Sequence, residues 1–124
     1  MSDRELLELA AKAADLPVDM DHEGGIGWFA CGTDAEGDTI WWNPLKDDGD
    51  ALRLAVRLRL SIDHNHTADQ QRWVAADRNG CEGCYSPVSC VEDEFDEQDR
   101  SFATRRAIVR AAAAIAQQSQ GEGE

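Results

Sequence analysis

The residues of this chain most able to do chemistry are its cysteines. Cys81 and Cys84 form a Cys-x-x-Cys pair at the end of the polar stretch that begins at Asp77, and Cys90 comes shortly after. Two thiolates on one side of a tight loop are what a tetrahedral zinc site uses. Cys90 would then supply a third ligand, and Cys31, His64 or His66 the fourth. One pair with an outlier is weaker than two pairs at a standard spacing. The competing expectation is four reduced thiols, with Cys31 and Cys90 packed as small apolar residues. The cofactor expectation is therefore none, with zinc on Cys81, Cys84 and Cys90 as the alternative. A redox role is disfavoured, because the pair does not open a helix that would lower a thiol pKa.

Other groupings have simpler readings. His64-Asn65-His66 sits in a turn, with no nucleophile or oxyanion site to make a triad. Asp47, Asp48 and Asp50 lack the twelve-residue calcium loop and its terminal Glu, so helix capping is expected instead. Trp41 and Trp42 should face opposite sides of a strand, one in the core and the other free to anchor a partner. Glu92, Asp93, Glu94, Asp96, Glu97 and Asp99 place six carboxylates in eight residues. Arg105, Arg106 and Arg110 come next on a helix, Arg106 and Arg110 sharing a face at i, i+4, and charge pairing of these arginines within the chain is expected.

Composition bounds what these groups can serve. Twenty-five acids against twelve bases give a formal charge of −13. Such a chain repels a nucleic-acid backbone and an anionic lipid surface, so neither is an expected partner. Solubility is the plain meaning of the charge. The sharper one is an acidic face that competes with nucleic acid for a basic channel on another protein. The opening residues Met1 to Glu5 carry no basic region or apolar run of a signal peptide, and no segment approaches the ~20 apolar residues of a span. A cytoplasmic location with reduced thiols is expected.

The elements that must hold these groups emerge from periodicity. Ser2 and Glu5 fit a capping box, and Leu6, Leu7, Ala10, Ala11 and Ala14 form a helical stripe that Pro17 ends. This predicts a helix over 3–15. Two Gly-flanked patches, Ile26 to Cys31 and Thr39 to Trp42, predict a pair of antiparallel strands. Asp47 or Asp48 should cap a helix over 48–58 with Ala51, Leu54, Ala55 and Leu58 inward. From Leu58 to Asp63 the period changes to two, which predicts a strand entered directly from that helix. Further strands are expected at Gln71 to Ala76 and Val88 to Val91. A last helix over 101–117, capped by Ser101 or Asp99, should turn Phe102, Ile108, Val109, Ala112, Ile115 and Ala116 inward. The expected architecture is α+β: an antiparallel or mixed sheet of at least three strands packed by three helices, an α/β/α-type sandwich. Residues 1–116 would form one domain at the modal size, and 117–124 a flexible acidic tail.

Three strings go further: DRELLELAAKAA (Asp3 to Ala14), WWNPLKDDGDALRLAVRL (Trp41 to Leu58) and ATRRAIVRAAAAIA (Ala103 to Ala116). Together they resemble the phage ABA sandwich domain family of small phage and prophage proteins. The resemblance implies a sheet sandwiched by helices and no catalytic residue. With the acidic charge, it sets the expected function: a non-enzymatic phage accessory protein acting in the cytoplasm of the bacterial host. It would bind and inhibit a host protein, such as a CRISPR-type or restriction component with a basic nucleic-acid channel. The expected contacts are Glu92, Asp93, Glu94, Asp96, Glu97, Asp99, Trp41 and Trp42. The alternative is a zinc-stabilised structural or regulatory phage module without a defence target.

Overall fold

The structure is a computed structural model that describes residues 1–80, 82–83 and 86–122. It holds three α-helices, α1 (Asp3–Ala13), α2 (Asp48–Leu58) and α3 (Arg100–Glu122). Six strands accompany them: β1 (Asp19–Glu23), β2 (Phe29–Thr33), β3 (Thr39–Trp42), β4 (Ser61–His64), β5 (Trp73–Arg78) and β6 (Val88–Asp93). The fold is α+β, with antiparallel strands. They form two three-stranded sheets, ordered β1-β2-β3 and β4-β5-β6, where one was expected. No described helix is long and apolar enough to cross a membrane.

Local chemistry sets the helix ends. The Ser2 hydroxyl accepts the Glu5 N–H and donates to the Glu5 carboxylate, both at 3.1 Å. This is a variant of the capping box in which the Glu meets the Ser side chain rather than its backbone. Asp47 caps α2 by accepting the Asp50 N–H at 2.8 Å. At its other end Arg59 takes a left-handed conformation (φ 57°, ψ 43°), which stops the helix and turns the chain into β4. The handover from period 3.6 to period 2 thus occurs, but across a two-residue break, and the strand begins at Ser61. Before α3 a 3-10 turn, Glu97–Asp99, precedes Arg100, so neither Asp99 nor Ser101 acts as a simple cap. α3 continues through Glu122, into the stretch expected to be a flexible tail.

The strands show a similar mixture. β2 starts at Phe29 rather than Ile26, because Gly25 to Trp28 is a turn. Gly27 holds φ at 84°, which a side chain would strain, and Ile26 is left 91% exposed at the tip. β1 was not expected from the sequence. Its residues Asp-Met-Asp-His-Glu show no apolar alternation, and only Met20 packs against the core.

One core draws on all three helices and on both sheets. Leu6, Leu7, Phe29, Trp42, Leu54, Leu58, Val88, Ile108, Val109 and Ile115 are buried in it. Phe102, expected inward, is 51% exposed; its position near the start of α3 lies off the buried stripe that begins at Ala103. Asn43 and Asp50 are the buried polar pair. The Asn43 N–H donates to Asp50 Oδ2 at 3.0 Å, Asn43 Oδ1 accepts the Leu45 N–H at 2.8 Å, and its amide reaches the Gly27 carbonyl. This satisfied network ties the end of β3 to the start of α2, as buried polar groups require.

Leu54 is 1% exposed in that core. Leu54→Ala should cost about 2–5 kcal/mol, the usual range for a buried large-to-small change, read as a lower urea midpoint. An unchanged midpoint would place Leu54 outside the core.

Candidate functional site

The acidic run leaves β6 at Asp93 and passes through the 3-10 turn into α3, and its geometry is set by a few bonds. Glu94 holds φ at 56°, a left-handed conformation that non-glycine residues rarely adopt, and turns the chain out of the sheet. Arg100 then anchors the turn that leads into α3. Its guanidinium donates to both Glu97 oxygens at 2.7 and 2.8 Å, to Asn65 Oδ1 at 2.7 Å, to His64 Nδ1 at 2.9 Å and to the Trp73 carbonyl at 3.3 Å. It also lies over the Phe95 ring, 5.0 Å from the centroid. One side chain therefore joins the β4–β5 turn, the start of β5, the acidic turn and α3. The fixed fork of arginine suits that number of acceptors. The hydrogen bond from Arg100 holds the Glu97 carboxyl below the usual carboxylate range.

The six carboxylates divide into two groups. Glu92 is paired with Arg110 and Arg106 of α3, and Glu97 with Arg100 and Arg72. These two, expected as partner contacts, are committed within the chain. Asp93, Glu94, Asp96 and Asp99 are exposed, and none joins an ion pair among the described residues. Beside them lies a shallow depression of about 620 Å³, with Trp73, Val91 and Phe95 supplying apolar wall and Asp93, Glu94 and Asp96 the rim.

The other expected site residues are scattered over the fold. Cys81 and Cys84 lie outside the described residues. Cys90 and Cys31 are free, and each packs beside the core. Burial pushes both thiols up; Asp50 adds to this at Cys31, while at Cys90 the nearby Arg110 opposes it. Raised thiols are poor nucleophiles at neutral pH. Trp42 is 5% exposed and belongs to the core, so it is no partner contact. Trp41 is 39% exposed, edge-on to His22 at 5.3 Å, over Gly24, where an added Cβ would meet its ring at 2.5 Å. His64 accepts from Arg100, and His66 Nδ1 accepts the Ala68 N–H at 3.0 Å; both histidines hold turns. Asp47 and Asp50 cap and brace α2, as expected.

Sequence reasoning passed over Asp34, Glu36 and Asp38 in the β2–β3 turn, whose carboxylates can offer oxygens within 4.8 Å of one another. Their alternate spacing was the available signal. Asp34 Oδ1 accepts the N–H groups of Glu36 and Asp38 at 3.0 and 2.9 Å, so turn closure accounts for it. Sequence reasoning also missed Arg100, which no local pattern distinguishes from the other arginines.

Arg100→Ala should lower the urea midpoint at pH 7. Because the folded carboxyl of Glu97 lies below its ordinary 4.5, the contribution is present above that pH and fades as pH falls further. The gap between wild type and variant should accordingly narrow in acid. A gap that is constant with pH would show that the Arg100–Glu97 pair does not act as described.

Comparison of the chain with protein-family models, with curated proteins and with solved structures returns no match.

Proposed function

We propose that the protein is a non-enzymatic binding protein, a phage or prophage accessory product that engages a basic surface on a host protein such as a defence component. The observation that carries this reading is that Asp93, Glu94, Asp96 and Asp99 are exposed and join no ion pair among the described residues, beside a largely polar depression into which Trp73, Val91 and Phe95 also face. A fold that neutralises Glu92 and Glu97 with α3 arginines leaves four neighbouring carboxylates without a cation among the described residues. Their mutual repulsion is relieved when a basic partner docks. Contacts of this kind accelerate association and select partners by sign of charge. The resemblance of the three helical strings to phage ABA sandwich proteins supports the phage assignment. Those strings fall on α1, α2 and α3 and on the Asn43–Asp50 network, all of which position the core.

The test pairs a charge change with salt. The variant Asp93→Asn, Glu94→Gln, Asp96→Asn, Asp99→Asn should fold with an unchanged or higher urea midpoint. In pull-downs from the bacterial host it should lose the proteins that the wild type retains. Retention by the wild type should fall steeply between low salt and about 0.5 M, since exposed charges are screened over about 10 Å at 0.1 M and less above it. A host partner held equally by both forms, at either salt, would overturn the reading.

A further inference from the structure

α3 packs on one face of the β4-β5-β6 sheet, and on the other Ser61, Asp63, Ser89, Val91 and Asp93 are exposed while Ala75 between the outer strands is buried. Ile62, Ala76, Val88 and Cys90 of the α3 face belong to or pack on the core, and Glu92 reaches α3 arginines. Strand alternation places the intervening residues on the opposite face. The register sets Ser61, Asp77 and Ser89 in one row and Asp63, Ala75 and Val91 in the next, with Trp73 opposite Asp93. Polar residues on the water face of an antiparallel sheet are ordinary. Two features of this face are not. Val91 stands in its middle row 46% exposed, next to the depression formed with Trp73 and Phe95. Its charges are of one sign, Asp63, Asp77 and Asp93, continuing into Glu94 and Asp96, whereas soluble surfaces ordinarily intersperse both signs. Arg72, the base lining the depression, is taken up by Glu97 at 3.5 Å.

We infer that this open face is where the partner docks, and that the docking element is a cationic protein segment presenting an aliphatic side chain to the depression between Trp73, Val91 and Phe95. The inference rests on the proposed binding function and adds the anchor and its location. Charge complementarity selects the occupant. A nucleic acid or anionic membrane is repelled, and so is a second copy of a chain carrying −13. The lining of the depression is polar over most of its extent, with Trp73, Val91 and Phe95 as its apolar part. A few apolar anchors among polar groups are the ordinary build of a protein interface, in which the anchor supplies affinity and the polar groups orientation.

The test uses the full chain and two short synthetic peptides, one alternating arginine and leucine, the other arginine and serine, with heparin as a polyanion. In NMR titrations the arginine–leucine peptide should shift the Val91 methyls and the Trp73 indole Nε1–H, and leave Trp28 and Trp41 in place. Val91→Asp, at a surface position, should keep the fold. It should weaken the arginine–leucine peptide relative to the arginine–serine peptide by about tenfold, the effect of one aliphatic side chain losing its burial. Shifts centred on Trp41, an equal effect of Val91→Asp on both peptides, or heparin binding at this face would overturn the inference. If the four-acid variant loses both peptides while Val91→Asp affects neither differently, the docking site fails and the acidic binding function stands. If neither variant nor salt alters either peptide, both fail.

Discussion

Close packing against α3 is the constraint on which the rest of the molecule depends. Ala103, Ala107, Ala111, Ala112, Ala113 and Ala116 are each no more than 4% exposed. α1, α2, β5 and β6 all pack on this one helix. Alanine buries little area by itself, so its contribution comes through the approach it permits: neighbouring elements come near enough for Leu6, Leu54, Ala76 and Val88 to fill the space between. Around this seam stand four arginines that tie α3 to its neighbours. Arg100 holds the β4–β5 turn, and Arg105 donates to the Leu45 carbonyl at 2.9 Å and to Asp48 at 2.6 Å. Arg106 reaches Asp3 and Glu92, and Arg110 reaches Glu92 and the Val91 carbonyl.

That arrangement has an electrostatic consequence. Most exposed ion pairs contribute little to stability, and the value of these lies more in where they place charge. Of the acidic run, the α3 arginines engage only Glu92 and Glu97 among the described residues. Asp93, Glu94, Asp96 and Asp99, at and beyond the end of β6, are exposed and join no ion pair among the described residues.

The helices and their buried stripes were legible because a period of 3.6 is a local signal, and Leu6, Leu54, Ile108 and Ile115 are buried where that period places them. Trp41 and Trp42 divided between surface and core as pleating requires. β1 was not legible, since an edge strand of Asp, His and Glu buries almost nothing. Nor was the division into two sheets, because which strands pair is set by tertiary packing rather than by any local period. Phe102 faces solvent because polar groups of the turn fix where α3 starts. The acidic run was plain in the sequence. Which of its members were spoken for depended on Arg100, Arg106 and Arg110, whose contacts reach across the fold.

The most direct test of α3 as the organising element is native-state hydrogen exchange of the free protein. If the other elements close on α3, the amides of Ala107 to Ala113 should be among the slowest in the chain. They should exchange only through global unfolding, with a free energy equal to that from urea denaturation. The amides of β1 to β3, which pack on the core through fewer side chains, should open at lower free energy. Exchange of Ala107 to Ala113 before β2 and β3 would contradict this role for α3, because the core would then be organised around the first sheet.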